Sequence, residues 1–198
     1  MTNIPRFLMI HTSDVKQDIV FDQFNSINTY HRDEKKFPIS SLGYYIGYHY
    51  LITGNKIYQC RLDTDEGSHC DFKVNGVSMN FQSIGVCWGG DGDVELPNSA
   101  LRELLRRCIS DLMYKYDIPI DRVVFHRDYN NQGKTCPGTL FTRDYLLNFL
   151  QPPAGPKPIT NMCVEEGKII ETQKQQIGRL QILVQSLLAT IRSFFGRA

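Results

Sequence analysis

The sequence predicts an α/β or α+β domain, mixed α/β in composition and built around a mixed β-sheet, followed by a Pro-rich linker and a C-terminal amphipathic helix. Three observations lead there. Short apolar runs of strand length alternate with segments whose apolar residues recur at helical spacing. One pair of runs is joined by Gly54-Asn55, a hairpin signal that brings an antiparallel pair into the sheet. At Gln151 the composition changes, and Pro152, Pro153, Pro156 and Pro158 follow within a few residues.

In chain order, Arg6 to Ile10 is an apolar run fit for one buried strand. Phe21, Phe24, Ile27 and Tyr30 recur at every third residue, which predicts an amphipathic helix from Phe21 to Tyr30. Tyr44 to Ile52 is rich in aromatic and β-branched residues and reads as a strand, returned by the turn as Lys56 to Arg61. Ser83 to Trp88 is a further apolar strand, followed by the loop GGDGD. Leu101, Leu104, Leu105, Cys108, Ile109, Leu112 and Met113 form one stripe of a long helix from Asn98 to Tyr116. Val123 to Phe125 is a short strand and Thr142 to Leu150 a closing helix. Residues 1–150 are thus one domain and 151–163 a stiff extended linker with a soft point at Gly155.

From Val164 to Ala198 the pattern is that of a separate helix. Ile170, Ile177, Val184 and Ile191 recur at every seventh residue, with Gln173, Leu180, Leu187 and Phe194 three residues behind them. β-Branched residues at the first position and mostly Leu at the second favour a two-stranded coil, hence a homo-oligomer. Leu183, Leu188 and Phe195 widen the apolar face, and Arg179, Arg192 and Arg197 lie beyond the last acidic residue, Glu171. That combination also suits a helix lying on a membrane surface, and docking onto the first domain is the third option.

Of 198 residues, 41% are hydrophobic and 22% charged, and the formal net charge is +1. No bulk charge draws this chain to nucleic acid. The apolar run Phe7 to Ile10 is too short for a signal-peptide core, so synthesis in the cytoplasm without an export signal is expected. The six cysteines (60, 70, 87, 108, 136 and 163) show no paired framework and read as free thiols, with metal binding the exception to look for.

The chemistry concentrates in FHRDYNNQGKTCPG, residues 125–138, together with IHTSD at residues 10–14. His126 follows a strand, Cys136 ends a Gly-containing loop, and His11 closes the first strand. Imidazole and thiolate suit a borderline-soft ion such as Zn²⁺, and a catalytic zinc keeps three protein ligands and one open position. Spacing alone also allows a surface histidine and a buried free thiol.

These motifs, with IGYHYLI at residues 46–52 and NFQSIGVCWGG at 80–90, resemble those of the zinc amidases that include phage lysozymes and peptidoglycan recognition proteins. The resemblance spans residues 6 to about 150 and keeps the family's motif order. It implies a central mixed sheet flanked by helices, a zinc-floored groove for bacterial peptidoglycan, and cleavage between the N-acetylmuramoyl lactyl group and L-alanine. It implies zinc on His11, His126 and Cys136, with Tyr48 and Lys134 as the catalytic tyrosine and lysine. Zinc lowers the pKa of its bound water to about 7, and a cation two residues from a ligand suits a developing oxyanion. The plainer readings are a solvated loop lysine and a core tyrosine. Where some relatives carry a Glu base on the strand SIGVC, this chain has Cys87, which reads as a small packed hydrophobe. The base is then the metal-activated water, Tyr48 or another histidine.

His69, in GSH, matches a groove-lining histidine and is expected to contact substrate or to be a solvated loop residue. His49 reads as structural, on the face of a strand opposite Tyr48. His31 reads as a cap or surface residue beside Arg32 and Asp33. Asp128 is a candidate for orienting a ligand imidazole, unless it pairs with Arg127 at the surface. Two rival functions are a peptidoglycan-binding module without catalysis and a phage regulatory protein acting on a host enzyme. The missing export signal suits a phage lysin that reaches the wall after another protein opens the membrane, or a cytoplasmic wall-recycling enzyme.

Overall fold

The computed structural model describes residues 2–17, 22–130 and 132–151. The linker and the heptad helix expected from residue 152 onward lie outside the described residues. Ten elements run in order: β1 (Phe7–Thr12), α1 (Phe24–Asp33), β2 (Tyr50–Thr53), β3 (Lys56–Gln59), β4 (Lys73–Val74), β5 (Val77–Ser78), β6 (Ser83–Trp88), α2 (Ser99–Tyr116), β7 (Val123–Phe125) and α3 (Arg143–Leu150).

The main sheet has the order β3-β2-β6-β1-β7. Only β2 and β3 are antiparallel; β2, β6, β1 and β7 run parallel. This is the mixed sheet with flanking helices that the sequence and the resemblance imply. Parallel strands need both faces covered, and β6 is buried along its whole length. One face carries Leu8, Ile10, Ile84, Val86, Trp88, Val123 and Phe125 against Leu101, Leu105 and Ile109 of α2 and Leu146 and Phe149 of α3. The helices start where expected: Asn98 accepts a hydrogen bond from the Leu101 amide and Thr142 from that of Tyr145, standard N-cap contacts.

The opposite face holds two smaller apolar clusters, one around Met9, Met79 and Val124, the other around Ile46, Leu51, Cys60 and Cys87 with Phe24 and Ile27 of α1. Cys87 packs there as a buried hydrophobe, as expected.

Three elements depart from expectation. α1 begins at Phe24 and runs on to Asp33. Phe24 and Ile27 face inward while Tyr30 is half exposed, because a strict three-residue spacing drifts around a 3.6-residue helix. The strand expected from Tyr44 begins only at Tyr50, since residues 44–48 bond to side chains and crossing loops: the Tyr45 amide donates to Asn28 and the Gly47 amide to Nδ1 of His31, while the Gly47 carbonyl accepts from the Ser68 amide. The hairpin β4–β5 was not expected. It turns on Asn75-Gly76, both at positive φ (51° and 80°), between strands too short to show a period.

Candidate metal centre and groove

β1 and β7 are neighbours, and each delivers one histidine at its C-terminal end. His11 lies opposite Cys87 in the β1–β6 register, and His126 opens a short 3₁₀ turn directly after β7. Their rings lie 4.6 Å apart. Cys136 returns from the following loop, its sulfur 3.7 Å from Nδ1 of His11 and 3.4 Å from the Thr12 amide, which donates to it. One donor atom from each of His11, His126 and Cys136 lies within 4.8 Å of the others. The three residues read from the sequence as a ligand set are thus brought together from positions 125 residues apart.

The loop carrying Cys136 is held by contacts the sequence did not reveal. Arg127 lies over the Phe125 ring at 4.4 Å and donates to the carbonyls of Gly138 (2.6 Å), Phe141 (2.8 Å) and Thr135 (3.2 Å). The Arg127 amide donates to the Cys136 carbonyl at 2.7 Å. Asp93, in GGDGD, accepts from the Thr135 hydroxyl (2.6 Å) and the Thr139 amide (2.7 Å). Backbone meets backbone here: a Cβ on Gly92 would lie 1.8 Å from the Pro137 carbonyl oxygen, and one on Gly138 2.0 Å from Gly92. That contact explains why both loops are glycine-bearing. Asn130 accepts from the Lys134 amide (3.1 Å), and its own amide donates to the His126 carbonyl (3.2 Å), tying the Lys134 loop to the His126 turn.

Electrostatics suit a soft cation. Burial pushes the His126 imidazole down to about 4, aided by Lys134, and holds His11 well below the ordinary range, aided by His126. Both rings are therefore neutral donors at pH 7. Burial raises the Cys136 thiol to about 12; a coordinated cation reverses that by binding the thiolate, so loading releases a proton. Two neutral imidazoles and one thiol, close together and without an acid–base partner of opposite charge, fit Zn²⁺.

Tyr48 packs beside His11 with centroids 5.0 Å apart, and burial, aided by nearby Cys87, drives its phenol well above the ordinary range. His31 is a correction: it is buried, Nδ1 accepts from the Gly47 amide at 3.1 Å, and its ring meets that of Tyr48 edge-on (5.5 Å). It shapes the turn that presents Tyr48 and is no surface residue. His49 is structural as expected, buried, accepting from the Gly85 amide at Nδ1 and facing the Asp65 carbonyl at Nε2. Asp128 orients no imidazole and does not pair with Arg127. Its carboxylate accepts from the Phe125 amide at 3.3 Å, because the tight turn leaves that donor free.

A cavity of about 610 Å³ opens beside the cluster, lined by His69, His126 and Lys134 together with Phe37, Phe72 and Tyr129. Lys134 sits exposed on its rim. His69 lines it while itself 8% exposed, so it is not a solvated loop residue.

A family model described as N-acetylmuramoyl-L-alanine amidase matches residues 1–139. The chain belongs to this amidase family. The match takes in the strand ends and loops that supply His11, His126 and Cys136. Amidase CwlA from Bacillus sp. is 27% identical over 134 residues, 66% of this chain and 47% of that protein. The chain therefore spans about half the length of the curated amidase it matches. Among solved structures, amidase LysC from Clostridium intestinale URNW aligns at 24% identity and TM-score 0.54, covering 74% of this chain and 87% of that one. The bumblebee peptidoglycan recognition protein PGRP-SA aligns at 19% and 0.58, covering 78% and 89%. At these identities the structural likeness speaks for the amidase fold alone.

Proposed function

We infer that this chain hydrolyses the amide bond between the N-acetylmuramoyl lactyl group and L-alanine of peptidoglycan, with zinc held by His11, His126 and Cys136. The observation that carries this reading is the convergence of two neutral histidines and one cysteine beside an open groove, in a member of the amidase family. Bound zinc supplies Lewis acidity toward a carbonyl and acidifies water toward a pKa of about 7. The protein's own groups supply the rest. The groove walls Phe37, Phe72 and Tyr129 offer apolar faces to the glycan-peptide. Lys134, on the rim beside His126, brings a fixed positive charge to the oxyanion of the tetrahedral intermediate. Tyr48, a neutral phenol at neutral pH, donates a hydrogen bond toward the same centre and is the wrong form to act as a base.

A non-catalytic peptidoglycan binder is the second reading. A solved relative, peptidoglycan recognition protein LE, was captured with tracheal cytotoxin, a monomeric diaminopimelic acid-type peptidoglycan (16% identity, TM-score 0.58). The intact donor set favours the enzyme. Digesting purified sacculi decides between them: new alanine amino termini without new reducing sugars mean amidase, and bound but uncut sacculi mean a binder. For residues 164–198, the heptad spacing supports self-association, with membrane contact as the rival; light scattering of the full chain against residues 1–150 tests this. Within this reading we take the intact wall as the substrate, as for a phage-type lysin, with a wall-recycling enzyme acting on soluble fragments as the rival.

A further inference from the structure

His69 touches the ligand set from outside it. Its Nδ1 lies 3.1 Å from Nε2 of His11, with the rings edge-on at 79°. The other nitrogen of His11, Nδ1, is the one that faces Cys136. A nitrogen that binds a metal must offer a lone pair, so the His11 proton has to sit on Nε2, and that proton needs an acceptor in a buried place. Nδ1 of His69 is the nitrogen placed to accept it.

The position of His69 is itself prepared. Asn80, buried, accepts from the amides of both His69 and Cys70 at 2.9 Å, which fixes the backbone. The ring lies in a slot between two glycines. A Cβ on Gly67 would meet it at 2.5 Å and one on Gly85 at 2.7 Å, so neither position accepts even alanine without moving the imidazole. Neither glycine has a positive φ, so their smallness serves the ring and not the backbone. Gly67 belongs to GSH and Gly85 to SIGVC, and the slot gives both motif glycines a purpose. With Nδ1 accepting, the His69 proton sits on Nε2, which is buried without a hydrogen-bond partner among the described residues, so the contact to His11 must offset that unmade bond.

We propose that His69 is a positioning residue that accepts the Nε2 proton of His11 and thereby locks His11 in the tautomer whose Nδ1 binds the metal. This rests on the zinc reading given above, and replaces a substrate contact as the main task of His69.

The test is zinc affinity, measured by competition with a chelator of known strength, for the full chain and three variants. His69→Ala removes the acceptor and should weaken zinc binding about 10- to 100-fold. His69→Asn puts an amide oxygen near the place of Nδ1 and should recover most of that loss. Gly85→Ala, which pushes on the ring, should weaken zinc binding in the native background and add little to His69→Ala. Long-range ¹H–¹⁵N NMR of the metal-free chain reads the tautomer directly: a proton on Nε2 of His11 in the native chain and His69→Asn, and a mixture in His69→Ala. Native zinc affinity in His69→Ala with only a raised KM would overturn the proposal and return His69 to substrate binding. So would a native His11 protonated at Nδ1. A native chain that binds no zinc at all would instead sink the zinc reading, while the NMR result would still decide the tautomer.

Discussion

Along β1, Leu8 and Ile10 face an apolar layer shared with α2 and α3, while Met9 and His11 face the groove side of the same sheet. The first pair is held by burial alone. Side chains there are interchangeable within limits of volume, and their partners follow from the two-residue period of the strand. The second face adds specific polar contacts to its smaller apolar clusters: His11 to His69, the Thr12 amide to Cys136, the Gly85 amide to His49, and Arg127 to three carbonyls. One face makes the domain stable and the other makes it a site. The two should therefore fail differently when perturbed.

The largest difference is expected on metal removal. Chelation should abolish sacculus cleavage while circular dichroism shows the fold intact, and added zinc should restore activity. Unfolding on chelation would mean that the groove face also carries the fold. Next comes the stability face. Leu105→Ala leaves a hole in the fully buried layer and should cost about 2–5 kcal/mol by denaturant unfolding. The folded fraction should bind zinc with native affinity. Lys134→Ala should do the reverse, leaving stability and zinc content unchanged and lowering kcat on the order of 10²-fold. Normal turnover would reduce Lys134 to a loop residue. Arg127→Met sits between the two faces, since it frees the Cys136 loop. It should cost about 1.5–3 kcal/mol for lost charged hydrogen bonds and loosen zinc binding as well.

The mildest perturbation, which removes no side chain, is a change of pH. Burial holds His31 and His49 down near 4, against about 6.5 in the unfolded chain. Between those values the unfolded state binds more protons, so stability rises with pH across that window and is lost as pH falls from 6.5 toward 4. Denaturant midpoints of the metal-free chain at pH 7.5, 6 and 5 should decrease in that order. A flat profile would mean that these two rings are not buried neutral.

Legibility in the sequence divided along the same line. β6 and β7 match expectation residue for residue and α2 within one, because short apolar runs and the helical apolar period are local signals. The ligand set was named through the resemblance, because spacing alone fits a surface histidine and a buried free thiol equally well, and the convergence of the three residues required only that β1 and β7 pair. What escaped were contacts between a local residue and a distant backbone. Arg127 bonds to carbonyls, which leave no mark on the sequence, and His31 bonds to a glycine amide sixteen residues away. The aromatic run at residues 44–49 has strand composition, yet a Cβ on Gly47 would lie 2.3 Å from the Ser68 carbonyl oxygen, so the chain there is shaped by a crossing segment.

The central claim is that the groove face is a zinc site assembled from His11, His126 and Cys136. Equilibrium zinc titration of the native chain and of His11→Ala, His126→Ala and Cys136→Ala tests it most directly. One zinc per native chain is expected, with affinity falling in every variant by more than the roughly 10- to 100-fold expected for an outer-shell residue. Undiminished affinity in any one of the three, or no zinc bound by the native chain, would contradict it.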